Sequence, residues 1–128
     1  MIKGGVLVDT SVLISFFRGG HYANDVTELL KNDRLVTSGL IIAELLQGVK
    51  DAEEQKSLSE LLGAVNPLEL STPVWIKAGI LASSLRKKGV NLPLTDIAIA
   101  TLAQEHSLEI LTADKHFELI PGVKFYKR

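Results

Sequence analysis

Strands alternate with helices along this chain, and that alternation predicts an α/β sandwich around a central, mostly parallel sheet. Three observations carry the expectation. Short continuous apolar runs such as Gly5-Val-Leu-Val8 are too brief for helices and lack polar alternation, as in strands buried on both faces. Between them lie stretches with apolar residues at helical spacing, for example Val74, Ala78, Leu81 and Leu85. The 128 residues, 46% hydrophobic and 23% charged, can bury a core. No repeat, low-complexity tract or linker divides them, so residues 1–128 are expected to form a single domain.

Each element has its own justification. Residues 5–8 form the first strand, which Asp9-Thr10-Ser11 ends before a helix running to Phe17. Gly19-Gly20 stops that helix, and His21 to Lys31 is helical, with Val26, Leu29 and Leu30 on one face. Leu35-Val36-Thr37 is a brief strand. Ser38 caps a helix through Gln47 that Gly48 closes. Asp51 to Leu62 carries the stripe Leu58, Leu61 and Leu62. Pro67 to Leu70 makes a short strand, and Thr72-Pro73 opens a helix with proline in its first turn. That helix ends in Arg86-Lys87-Lys88-Gly89, basic residues where the dipole favours them. Thr95 caps a helix to about Glu105. Glu109 to Thr112 is a strand, Asp114 to Phe117 a helical turn, and Val123 to Tyr126 a fifth and last strand.

Composition removes several function classes. With no cysteine there is neither a disulfide nor a thiolate metal site, and a reducing cytoplasm is the expected setting. A net charge of −1 gives no global attraction to nucleic acid, so any such binding rests on local basic groups or on metal. The apolar N-terminus is interrupted by Asp9 and lacks a small-residue cleavage site, unlike a signal peptide. The run from Gly39 to Leu46 is too short to span a bilayer and contains Glu44.

Four carboxylates stand out because each follows or interrupts apolar sequence: Asp9, Glu44, Asp96 and Asp114. Ligand sites in open parallel sheets lie at the carboxyl ends of the strands. Asp9 and Asp114 fall there, and Asp96 opens a helix reached from the same edge. Each aspartate has a plain alternative: Asp9 and Asp114 as N-caps, Asp96 as a charge answering the helix dipole. Glu44 is harder to dismiss, because its neighbours from Leu40 to Leu46 are all apolar, so that this helix segment is expected to be buried, and no Lys or Arg lies within a turn. No single helix can gather positions 9, 44, 96 and 114, so only the tertiary fold can. If they converge, each pair of like charges at about 4 Å costs on the order of 4 kcal/mol, against a total domain stability of roughly 5–15 kcal/mol. Protonation or a bound cation must relieve that repulsion. Oxygen ligands favour Mg²⁺ or Mn²⁺, and such a site suits phosphodiester hydrolysis.

The motifs, taken in order, resemble the PIN-domain family, specifically VapC-type ribonuclease toxins of type II toxin–antitoxin modules. They are hydrophobic-Val-Asp9-Thr10-Ser11, Ile-Ile-Ala-Glu44-Leu-Leu-Gln-Gly, Gly89, Asp96-Ile-Ala-Ile-Ala with Ala103, Leu111-Thr112-Ala-Asp114-Lys-His-Phe117, and Ile120-Pro121-Gly122. The resemblance covers essentially the whole chain. It implies a three-layer α/β/α sandwich with a five-stranded parallel sheet. It also implies a Mg²⁺- or Mn²⁺-dependent endoribonuclease that cleaves tRNA or rRNA and leaves a 5′-phosphate and a 3′-hydroxyl. Asp9, Glu44, Asp96 and Asp114 match the catalytic acids. Asp9 and Asp96 would be the most direct metal ligands, Asp114 one acting through water, and Glu44 would tune the metal or activate the water. Ser11 and Thr112 match supporting hydroxyls. A homodimer and a cognate antitoxin are the implied partners. The stretch after Asp96 lacks the extra acid of some PIN nucleases, which leaves the number of metals open.

Arg18, Arg86 and His116 are the candidates for contact with RNA or antitoxin, against a plain reading as solvated surface groups. Trp75 is expected to pack in the core. A phosphoryl-receiver domain would want an acidic pair after the first strand, and a haloacid-dehalogenase-type phosphatase an Asp at position 11, which is Ser11. A free-standing processing nuclease and a non-catalytic module on the same scaffold stay open. Loss of an acid would favour the non-catalytic module, and a neighbouring antitoxin gene would favour the toxin.

Overall fold

The computed structural model describes residues 4–127. Strand β1 (Val6–Val8) leads into helices α1 (Thr10–Phe17) and α2 (Ala23–Lys31); β2 (Leu35–Ser38) is followed by α3 (Gly39–Gln47) and α4 (Ala52–Gly63). After β3 (Pro67–Leu68) come α5 (Thr72–Lys87) and α6 (Leu94–Glu105), then β4 (Glu109–Leu111) and a 3-10 helix at Lys115–Leu119. The strands form one sheet in the order β3-β2-β1-β4, with every pairing parallel. Two helices fill each crossover, as parallel pairing requires.

The local reasons are those in the sequence. Ser38 accepts the Ile41 amide and opens α3, Asp51 accepts the Glu54 amide and opens α4, and Ser71 accepts the Val74 amide ahead of Pro73 in α5. Between α1 and α2, Gly19 takes φ +69°, while a Cβ on Gly20 would lie 2.9 Å from the Ser15 backbone carbonyl, so the turn needs both glycines. Val6, Leu7 and Val8 are wholly buried, and the core around them draws on all six helices, Phe117 of the 3-10 helix and Ile120. Helix α6 contributes an unbroken buried run from Ile97 to Ala103. Among the described residues, no helix is long and apolar enough to cross a membrane.

Four expectations need correction. The described sheet has four strands, not five. Residues 123–126 reach it through one parallel bridge, Ile110 to Phe125, made by the Ile110 amide on the Lys124 carbonyl (2.8 Å) and the Tyr126 amide on the Ile110 carbonyl (2.9 Å). β4 is three residues long and the turn through Gly122 delivers the chain alongside it only at Lys124, so no ladder can extend. Helix α6 begins at Leu94 with Pro93 at its cap, and Thr95 lies inside the first turn. Trp75 is 40% exposed, because the buried stripe of α5 runs through Val74, Ala78, Ala82 and Leu85. Helix α3 buries only Ile41 and Leu45, and Glu44 is half-buried despite its apolar neighbours.

Candidate metal centre

The register of β1 and β4 builds the first part of the site. Val8 pairs with Leu111, so the next residues, Asp9 and Thr112, leave the sheet side by side at its carboxyl edge. The Asp9 amide donates to the Leu111 carbonyl at 3.0 Å and locks this juxtaposition. Asp9 occupies the cap position of α1 but its side chain makes no capping bond. Its Oδ2 instead accepts two hydroxyl protons, from Ser11 at 2.8 Å and from Thr112 at 2.9 Å.

Those hydroxyls are themselves oriented. The Ala113 amide donates to Ser11 Oγ at 3.1 Å, and the Asp114 amide donates to Thr112 Oγ1 at 3.0 Å. Each hydroxyl therefore accepts from the backbone and spends its single proton on Asp9. Among the described residues no hydrogen bond reaches Asp9 Oδ1. The carboxylate is 5% exposed and rigidly held, with one oxygen left for a ligand. Ser11 and Thr112, expected as supporting groups, are the two hydroxyls bonded to this acid.

Asp114 follows two residues on. Its Oδ1 accepts the His116 amide at 2.9 Å, so the capping role foreseen for it is real, and the same oxygen lies 3.1 Å from His116 Nδ1. Asp96 sits in the first turn of α6. Asp96, Asp114 and His116 each place one ligand atom within 4.8 Å of the other two, a grouping that includes two of the three expected ligands but not Asp9. Glu44 enters from α3, where Thr10 donates to its Oε1 at 3.1 Å.

Electrostatics link all four acids. Burial, then the charges of Asp9, Asp114 and Glu44, raise the Asp96 carboxyl from 3.8 to about 6, with His116 acting in the opposite direction. Three elements that are remote in sequence thus deliver negative charge to one carboxyl. Carboxylate oxygens with an imidazole nitrogen at this spacing suit a divalent cation, whose charge would offset the repulsion.

The basic candidates lie elsewhere. Arg18 lines a groove of about 340 Å³ with Ile14, Phe17, Glu54 and Leu58, and Glu44 also faces that groove. Arg86 is exposed at the end of α5 and makes no ion pair among the described residues. Thr10 is a site residue that sequence reasoning passed over. It belongs to the Asp9-Thr10-Ser11 stretch, but no spacing signal links position 10 to position 44.

Comparison with known proteins places the whole fold among known relatives. The PIN domain profile matches residues 6–123. Ribonuclease VapC1 of Haemophilus influenzae is 29% identical over 126 residues, covering 93% of this chain and 94% of the relative. Ribonuclease VapC2 of Rickettsia felis is 28% identical over 107 residues, 80% of each. Among solved structures, VapBC-1 from nontypeable Haemophilus influenzae superposes with a TM-score of 0.78 at 27% identity, covering 95% of this chain and 96% of that one. VapBC2 of Rickettsia felis bound to a promoter DNA fragment gives 0.79 at 22% identity, covering 94% and 96%, a likeness of fold.

Proposed function

This chain belongs to the PIN-domain family, and from that premise we propose that it is a metal-dependent endoribonuclease, the toxin of a toxin–antitoxin pair. The observation that carries the reading is the convergence of Asp9, Glu44 and Asp114 on Asp96, whose carboxyl is raised to about 6 by burial first and by these three charges next. Four acids held in mutual repulsion are costly to a fold unless a cation or a reaction uses them.

Asp9, Asp96 and Asp114 would hold the ion, Mg²⁺ or Mn²⁺. When bound, it supplies positive charge that activates water and stabilises the phosphodiester oxygens during hydrolysis. The chain's own residues do the rest. Ser11 and Thr112 fix Asp9 so that one oxygen is presented. Thr10 fixes Glu44, which is the remaining carboxylate able to take the proton of the attacking water. The His116 amide holds Asp114 by a hydrogen bond to Oδ1, and the His116 ring nitrogen lies beside the same oxygen.

The named ribonuclease relatives and the toxin–antitoxin complexes among the structural neighbours support RNA as substrate and a protein antitoxin as partner; tRNA or rRNA is the substrate that the resemblance to the family implies. The groove bounded by α1 and α4 and reaching Glu44 is the surface we assign to the antitoxin, with Arg18 on its wall. Residues 1–128 act as a single nuclease domain in the cytoplasm, as a homodimer. Arg86 is assigned to flanking RNA phosphates.

Purified protein incubated with total RNA in Mg²⁺, Mn²⁺ or EDTA, with ends mapped by sequencing, tests the reading. Discrete cuts with 5′-phosphate and 3′-hydroxyl ends in metal, abolished by EDTA and restored by Mn²⁺, are expected. Cleavage that persists in EDTA would overturn it.

A further inference from the structure

A second cavity, of about 230 Å³, shares Thr112 and Asp114 with the acid cluster and runs on to Tyr22, Lys115, Glu118 and Phe125. Two aromatic rings thus line a space continuous with the candidate site. Phe125 leaves 39% of its surface open although its backbone is pinned to Ile110 by the parallel bridge. Its ring is therefore presented by a fixed backbone without serving the core. Tyr22 is half-buried, packed on the core and set edge-on to His21, with ring centroids 5.5 Å apart. The cavity is below the roughly 300–1,000 Å³ of a site enclosing a drug-sized ligand, which suits one planar group. Lys115 adds a cation beside the aromatic pair.

We propose that this cavity receives a nucleobase of the RNA strand, splayed out next to the scissile phosphate, with Phe125 and Tyr22 as its aromatic walls. The proposal rests on the nuclease reading above. Unstacked bases of single-stranded RNA are recognised by stacking on aromatic side chains, and a base held there fixes which phosphate meets the acids. Because every base has a π face, the pocket positions the strand more than it reads its sequence. Lys115 would neutralise the adjoining phosphate.

The test uses a short RNA containing one mapped cleavage site, and versions with an abasic residue at each flanking position in turn. Wild-type protein is expected to lose about 5- to 100-fold in kcat/KM, mostly through KM, at one abasic position. Phe125→Ala should show the same loss on intact RNA and no further loss on that abasic RNA. Phe125→Leu keeps the bulk and the bridge without the π face, and should fall between the two. Unchanged kinetics in both Phe125 variants, or losses that add fully to the abasic effect, would overturn the pocket while leaving the nuclease reading intact. Failure of the wild-type protein to cleave any RNA in Mg²⁺ or Mn²⁺ would overturn both.

Discussion

Neutralising Asp96 should stabilise the metal-free protein at neutral pH and do nothing for it in acid. In the folded chain the Asp96 carboxyl is raised from 3.8 to about 6 by burial first and by Asp9, Asp114 and Glu44 next. Between those pH values the folded state binds a proton that the unfolded state has released. The contribution of this group is complete below pH 3.8 and is lost as pH rises through about 6. Each tenfold change in protonation ratio is worth about 1.4 kcal/mol, which sets a ceiling of about 3 kcal/mol. Asp96 is only half-buried, and solvent screening reduces this to roughly 1–1.5 kcal/mol. Asp96→Asn carries no ionisable group, so its advantage over wild type should grow from near zero at pH 4 to that value at pH 8. For a chain of this length it corresponds to about 4–6 °C in Tm. Urea unfolding of both proteins in EDTA across pH 4–8 measures it. A difference that stays constant with pH, or an Asn variant less stable at pH 8, would refute the reasoning.

Other expectations follow from the same geometry. Thr112→Val removes one of the two protons that hold Asp9 and should lower kcat by about 10- to 100-fold, with the circular dichroism spectrum unchanged. Divalent metal binding should weaken as pH falls below about 6, because Asp96 must lose its proton to accept the ion; Mn²⁺ titrations at pH 5 and pH 7.5 read this directly. Thr37→Val replaces a buried hydroxyl that has no hydrogen-bond partner among the described residues and should stabilise by about 1 kcal/mol in urea. Phe117→Ala, at a wholly buried position three residues after Asp114, should cost about 3–5 kcal/mol and loosen the loop that carries that acid.

What could be read from the sequence follows a physical division. Helix α3 was legible to the residue because Ser38 and Gly48 mark its ends locally. The first strand and the position of Asp9 were legible because an apolar run stops at a charge. Local chemistry does not encode the fifth strand, since residues 123–126 meet a β4 only three residues long and make one bridge. Trp75 looked like core by type, yet the buried stripe of α5 passes beside it. Glu44 looked buried by its neighbours, but α3 fully buries only Ile41 and Leu45, packs Leu40 and Ile42 partly against the core, and leaves its acid facing a groove. The four acids were each visible. Their convergence, and the brace of Ser11 and Thr112 around Asp9, depend on the pairing of Val8 with Leu111 across a hundred residues, which leaves no periodic trace.

The central claim is that Asp9, Glu44, Asp96 and Asp114 work as one metal site for cutting RNA. Cleavage of a single labelled RNA in Mn²⁺ by wild type, Asp9→Asn, Glu44→Gln, Asp96→Asn and Asp114→Asn, each verified as folded, tests it most directly. Every variant should lose at least about 100-fold in rate, and EDTA should silence the wild type. Full activity in Asp96→Asn would contradict the account.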